Sequence, residues 1–108
     1  MKHADLGTSN GTGFHGVTVF VTPNDLKKVA EKFVSDFYEC NDGRDKSNFD
    51  FEFSTEDGDK FFVYDWKEYR PLDMNTRYDF HIGAKNKSIS ADAKAELMTE
   101  LGKIYFSR

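Results

Sequence analysis

The chain has 108 residues, of which 38% are hydrophobic and 31% charged, and a net charge of −4. That is one small globular domain, which excludes a disordered chain, a multidomain chain and the basic surface of a nucleic-acid binder. No apolar run reaches the length of a membrane span or a signal-peptide core, so a cytoplasmic protein without a membrane partner is expected.

Residues 1–13 are polar and carry Gly7, Gly11 and Gly13; they read as a flexible arm ahead of a single domain over 14–108. Phe14 to Thr22 is rich in β-branched residues and predicts a strand, with Val17, Val19 and Val21 on one face and Thr18 and Phe20 on the other. Thr22-Pro23-Asn24-Asp25 is a helix start: a capping hydroxyl, a proline in the first turn and an acid near the positive end of the dipole. Leu26, Val29, Ala30, Phe33, Val34, Phe37 and Tyr38 follow a helical stripe, and Asn41-Asp42-Gly43 supplies the stop.

Phe49, Phe51 and Phe53 alternate with Asp50, Glu52 and Ser54, the pattern of a half-buried strand. Asp57-Gly58 marks a hairpin turn. The returning strand, Lys60 to Trp66, has Phe62, Tyr64 and Trp66 on one face and Phe61, Val63 and Asp65 on the other. Only one of these faces can join the phenylalanine ladder, so the other leaves apolar surface in solvent. A charged loop with Pro71 leads to a last strand, Arg77 to Gly83, with Tyr78, Phe80 and Ile82 inward and His81 outward. Ser88 to Ser90 offers a cap for a final helix whose stripe is Leu97, Met98, Leu101, Ile104 and Tyr105, and Gly102 predicts fraying of its last turn. The expected fold is α+β: a four-stranded, mainly antiparallel sheet with two helices packed on one face, in the order β-α-β-β-β-α.

Aromatic residues make up 16% of the chain, and eleven of them are Phe. That is more ring surface than one small core consumes, and exposed rings point to an interface. Nine acids fall between Asp36 and Asp59 (Asp36, Glu39, Asp42, Asp45, Asp50, Glu52, Glu56, Asp57 and Asp59) against Arg44 and Lys46. This acidic lobe is a solvated face or a surface for a basic partner. Cys40 is the lone cysteine, compatible with a reducing compartment. Flanked by Glu39 and Asp42, it reads as a half-buried small residue at a helix end rather than a nucleophile.

Asp65-x-Lys67 has the form of half a metal-dependent nuclease site, with Asp50, Glu52 and Asp59 as further acids. Its place at a strand exit favours a structural role for Asp65 instead. His3, His15 and His81 lack metal-ligand spacing, and no glycine-rich loop opens a helix, so neither a metal nor a nucleotide cofactor is expected. His81 is expected to lie across the sheet from Asp65 or Tyr64 as an oriented structural histidine, hydrogen-bonded to a neighbouring strand or to the loop after Trp66. Tyr64, Trp66, Tyr69 and Arg70 are the residue types of binding hot spots. With Lys67 and His81 they form the candidate binding site.

Three stretches resemble a family of small uncharacterised bacteriophage proteins: Glu56-Asp57-Gly58, Val63-Tyr64-Asp65-Trp66-Lys67 and Phe80-His81-Ile82-Gly83-Ala84. In that pattern an acidic-Gly hairpin runs into Thr-Ile-Tyr-Asp/Asn-Trp/Tyr-Lys and closes on Trp-His-Ile-Gly-Gly. Gly13-Phe14-His15-Gly16-Val17 is similar to the family's opening, so the likeness covers about residues 13–84. Here Phe80 replaces the Trp and Ala84 the second Gly. The resemblance implies a viral origin and a role in the cytoplasm of an infected cell, and it brings no catalytic residues. The leading expectation is a non-enzymatic accessory protein that binds and modulates or inhibits a host protein. The alternative is a module that binds or sequesters a small ligand or nucleotide. Self-association into a homodimer is compatible with either; a nucleic-acid partner is not expected.

Overall fold

A computed structural model describes residues 1, 12–44, 47–66 and 69–106. The elements in chain order are β1 (Gly13–Val21), α1 (Pro23–Lys32), β2 (Phe37–Glu39), β3 (Phe49–Ser54), β4 (Lys60–Tyr64), β5 (Tyr78–Ala84) and α2 (Lys87–Phe106). The fold is α+β, with an antiparallel sheet in the order β1-β5-β4-β3-β2. The sheet has five strands rather than four. Of the segment read as an arm, residues 2–11 lie outside the described residues, while Met1 is buried against the core.

The additional strand exists because α1 stops early. Its start matches the sequence: Thr22 is extended, and its hydroxyl accepts the Asp25 N–H at 3.0 Å. Its end does not reach the Asn41-Asp42-Gly43 stop. Val34 adopts φ 51°, the Val34 N–H donates to the Glu31 carbonyl at 3.3 Å, and the Ser35 N–H reaches back to the Ala30 carbonyl at 2.8 Å. This paired closure is a Schellman turn, which normally has glycine at the left-handed position. A β-branched residue there is strained, so the sequence carries no stop signal at that point. Phe37 and Tyr38 consequently leave the helical stripe and enter β2, which pairs with β3 as Phe37 with Phe51 and Tyr38 with Asp50. Cys40 is half-buried just after β2 rather than at a helix end.

The core lies between one face of the sheet and the two helices. Val19 and Val21 of β1, Phe49, Phe51 and Phe53 of β3, Phe61 and Val63 of β4, and Phe80 and Ile82 of β5 are all buried. The three β3 rings stack in register at 6.0 and 6.1 Å, and Phe37 adds a fourth at 5.1 Å from Phe51. Leu26, Val29, Ala30 and Phe33 of α1 close over this ladder. The β3–β4 hairpin turns through Asp57-Gly58 as expected, with Gly58 at φ 88° and the Thr55 N–H bonded to the Asp59 carbonyl at 2.9 Å.

The final helix starts earlier than the serines suggest. Asn86 is its cap, accepting the Ile89 N–H at 2.8 Å, and Ser90 is buried one turn in. Its buried stripe is Ser90, Ala93, Leu97, Glu100 and Leu101; Met98 and Tyr105, placed on the stripe by sequence, are exposed. Glu100 faces α1, where Lys32 Nζ meets its Oε2 at 2.6 Å. The helix continues through Gly102 to Phe106. No helix among the described residues is long and apolar enough to cross a membrane.

Phe51 sits at the centre of the ladder with no solvent exposure. Phe51→Ala removes a ring packed between Phe49, Phe53 and Phe37, and should cost about 3–5 kcal/mol in urea-unfolding free energy.

Candidate functional site

The site is built by the alternation of β4. Phe61, Val63 and Asp65 point into the core, so Phe62, Tyr64 and Trp66 fall on the face that no helix covers. Strand register then lays a straight row of side chains across this open face. Tyr38 of β2 is opposite Asp50 of β3, Asp50 is opposite Tyr64 of β4, Tyr64 is opposite His81 of β5, and His81 is opposite Thr18 of β1. The neighbouring row runs Glu52, Phe62, Gly83 and Phe14.

The rings are in mutual contact. Tyr64 and Trp66 are perpendicular at 6.0 Å, and Tyr64 meets the edge of His81 at 5.6 Å. Phe14 lies nearly parallel to His81 at 4.0 Å. It gets there because β1 is irregular between Phe14 and Thr18, where Gly16 takes φ 84°. Gly83 leaves room for Tyr64: a Cβ there would lie 3.3 Å from Tyr64 Cε1. Thus His81 faces Tyr64, as the sequence suggested. Its ring makes aromatic contacts, though, instead of the expected hydrogen bond, and none to a described residue is present. Burial holds the imidazole below its ordinary pKa, against a small opposing effect of Asp79.

The exit of β4 is held by Asp65, which is buried. Its carboxylate accepts the Asn48 N–H at 2.9 Å, the Phe49 N–H at 2.8 Å and the Asn48 side-chain amide at 2.9 Å. Asn48 also donates to the Arg70 carbonyl at 2.8 Å and accepts the Gly43 N–H at 3.0 Å. Ser47 Oγ donates to the Asp65 carbonyl at 2.7 Å. Asp65 is therefore a structural anchor, committed to backbone amides. No group of three or more His, Cys, Asp or Glu in a metal-holding arrangement occurs among the described residues.

Of the candidate residues, the structure brings together Tyr64, Trp66 and His81. Tyr69 is exposed at φ 50°, and Arg70 is exposed with its backbone against Gly43. A Cβ on Gly43 would lie 2.6 Å from Arg70 Cα, so only glycine fits there. Lys67 lies outside the described residues.

Sequence reasoning missed Phe14 and underrated Asp50. Phe14 reaches the site only through the β1 irregularity. Asp50 looked like one of several solvated acids, yet its Oδ1 is buried without a hydrogen-bond partner among the described residues. Burial, with contributions from Glu52 and Asp65, pushes its pKa up to about 6. Burial and the Asp50 charge also raise Tyr64 above the usual phenol range. On the open face, between Thr12 and Gly13 at the start of β1 and Ser47 and Asp50 at the start of β3, a cleft of about 290 Å³ lies over Phe62, Tyr64, Trp66 and Gly83. A shallower depression of about 200 Å³, lined by Asp36, Tyr38, Glu52, Asp50 and Phe62, continues it toward β2. Glu52 is paired with Lys60.

A second exposed apolar area lies at the β1–α2 edge, where Phe20, Met98 and Tyr105 are exposed. The hollow of about 570 Å³ beside it is larger, but Arg77, its described cation, donates to the Tyr105 hydroxyl at 2.8 Å and stacks on that ring. The open sheet face is the stronger candidate because it holds an unpartnered carboxyl oxygen among rings.

Two outcomes follow. Asp65→Ala strands the buried amides of Asn48 and Phe49 and should lower unfolding free energy by about 3–5 kcal/mol. For Asp50 the folded state holds the proton more tightly than the unfolded chain does. Its contribution is therefore most favourable below the unfolded carboxylate pKa of about 4 and is lost as pH rises through about 6. Asp50→Asn should be more stable than wild type at about pH 8 by on the order of 1–2 kcal/mol, allowing for its partial exposure. The gain should shrink toward about pH 4. Urea melts of both proteins across this range check it, and the wild-type-minus-variant difference removes the opposite trend from His81. No protein-family model matches this chain, no curated protein matches it in sequence and no solved structure matches it, so a functional reading rests on the chemistry of this face.

Proposed function

We propose that the protein is a non-enzymatic binding protein that docks another protein on the open face of its sheet. The observation that carries this reading is the continuous surface of Phe14, His81, Tyr64, Trp66 and Phe62 beside Asp50 and Glu52, which no described helix covers, both helices packing on the other side. Trp66 and Phe14 are 42% and 44% exposed, and rings exposed side by side, unlike scattered single ones, mark an interaction surface. Aromatic centres with a polar margin are the usual anatomy of a protein interface. The resemblance to small bacteriophage proteins adds that the partner is a host protein which this chain modulates or inhibits, in the cytoplasm of the infected cell.

The alternative, sequestration of a small ligand or nucleotide, has less support. The cleft is small for a nucleotide, and its described lining holds a carboxylate and no basic side chain. Phosphate groups would meet Asp50 there.

Affinity capture from a bacterial lysate, followed by binding measurements on the purified partner, tests the docking face. Trp66→Ala should weaken binding about thirty-fold, the effect of losing about 2 kcal/mol at one anchor. Met98→Ala, on the opposite layer, should bind like wild type. Unchanged affinity in Trp66→Ala, with loss in Met98→Ala, would move the interface to the β1–α2 edge.

A further inference from the structure

We infer that the cleft on the open face is a cation pocket that seats a lysine side chain of the docked protein, with Asp50 as counter-ion and Tyr64, Trp66 and Phe62 as aromatic walls. The inference rests on the open face being the docking face, and it names what that face recognises.

Three observations carry it. Asp50 lines the cleft, and one of its carboxylate oxygens, Oδ1, is shielded from water with no hydrogen-bond partner among the described residues, so its charge is left unpaired by the fold. A buried carboxylate without a donor is costly, and such groups are ordinarily paired. Next, the rings beside it have the right disposition. Tyr64 and Trp66 stand at 79° to each other, which gives two nearly perpendicular walls. An ammonium set against such rings is attracted by their quadrupoles, more strongly where water is excluded. Lastly, the surroundings supply no competing cation among the described residues lining the cleft. Glu52 on the same strand is paired with Lys60, Tyr64 faces Asp50 from β4, Tyr38 faces it from β2, and Asp65 behind it is committed to Asn48 and Phe49.

The chemistry selects an alkylammonium over other ligands. An anion would be repelled by Asp50. A divalent metal needs several oxygen ligands, and Asp50 is a single carboxylate here. A guanidinium is best held by both oxygens of a carboxylate in a planar fork. One carboxylate beside aromatic rings suits a point charge on a slender aliphatic stem, and the stem can lie on Phe62.

The test uses n-butylammonium chloride as the probe, with n-butanol and sodium butyrate as neutral and anionic counterparts, at matched ionic strength and about pH 7.5. Amide and indole resonances of the isotope-labelled full chain report binding. Butylammonium should give saturable shifts in the millimolar range at Asp50, Gly83 and the Trp66 indole, at least about ten-fold tighter than either counterpart. Binding should weaken several-fold at about pH 5, where Asp50 is protonated, and be lost in Asp50→Asn. Equal affinity for butanol and butylammonium overturns the inference, as does butylammonium binding that survives Asp50→Asn. The comparison with butanol needs no variant, so it stands whatever the substitution does to folding. Failure of butylammonium to bind also overturns it, whereas the docking face is judged separately by partner capture with Trp66→Ala; the two can fail independently.

Discussion

The bonds between Asp65 and the Asn48–Phe49 backbone are the constraint on which the functional face depends. Asp65 sits one step beyond the Asp50–Tyr64 pair, where the β3–β4 ladder would otherwise open to water. A carboxylate that accepts three amide donors there ends the ladder without orphaning it. Asn48 passes the constraint on, through Gly43 to the segment after β2 and through Arg70 to the loop after β4. Asn41 adds a reciprocal pair with the backbone of Leu72, at 2.8 and 2.6 Å. Two irregular segments, those before β3 and after β4, are thereby fixed to one strand end. Because Asp65 is turned inward, its neighbours Tyr64 and Trp66 are turned outward. The anchor and the exposed rings are two sides of one alternation.

The two faces of the sheet are stabilised in different ways. The covered face is close-packed hydrocarbon, with four phenylalanine rings in contact along β2 and β3 and aliphatic side chains from both helices above them. Burial of that area carries the fold. The open face has ring-on-ring contacts worth far less each, and it holds a carboxyl oxygen with no partner. Groups kept in an environment that disfavours them are more common at functional sites than elsewhere. The strained Val34 turn belongs to the other category: it ends α1 so that Phe37 can reach Phe51, and the packing it permits offsets its backbone strain.

Electrostatics also divide along this line. Much of the acidic lobe is solvated or paired: Glu39 with Lys27 at 3.0 Å, Glu52 with Lys60, and Asp42 with the Arg44 amide at 2.9 Å. Asp50 differs only in where the strand register puts it, between Tyr38 and Tyr64. The proposed docking of a basic side chain rests on this one carboxylate set among aromatic rings. The same carboxylate disfavours phosphate-bearing ligands.

Much of the fold was written in local pattern. The Thr22-Pro23 helix start, the alternation of Phe49, Phe51 and Phe53, the Asp57-Gly58 turn and the inward set of Phe80 and Ile82 are periodicities or dihedral preferences that act over a few residues, and each appears in the structure where the sequence placed it. Tyr64, Trp66 and His81 were legible as candidates because an aromatic two-faced strand must leave one face outside. Other features depend on groups far apart in sequence. Which face of β4 joined the core was settled by Asp65 finding Asn48, and the end of α1 by Phe37 finding Phe51, against a turn that sequence preference disfavours. Phe14 reached His81 across 67 positions through an irregular strand edge. Asp50 became distinct from its acidic neighbours only when register set it among rings. Composition and spacing describe what a residue is; burial and the identity of its cross-strand neighbours, which decide its energy and its chemistry, arise only when the chain has closed on itself.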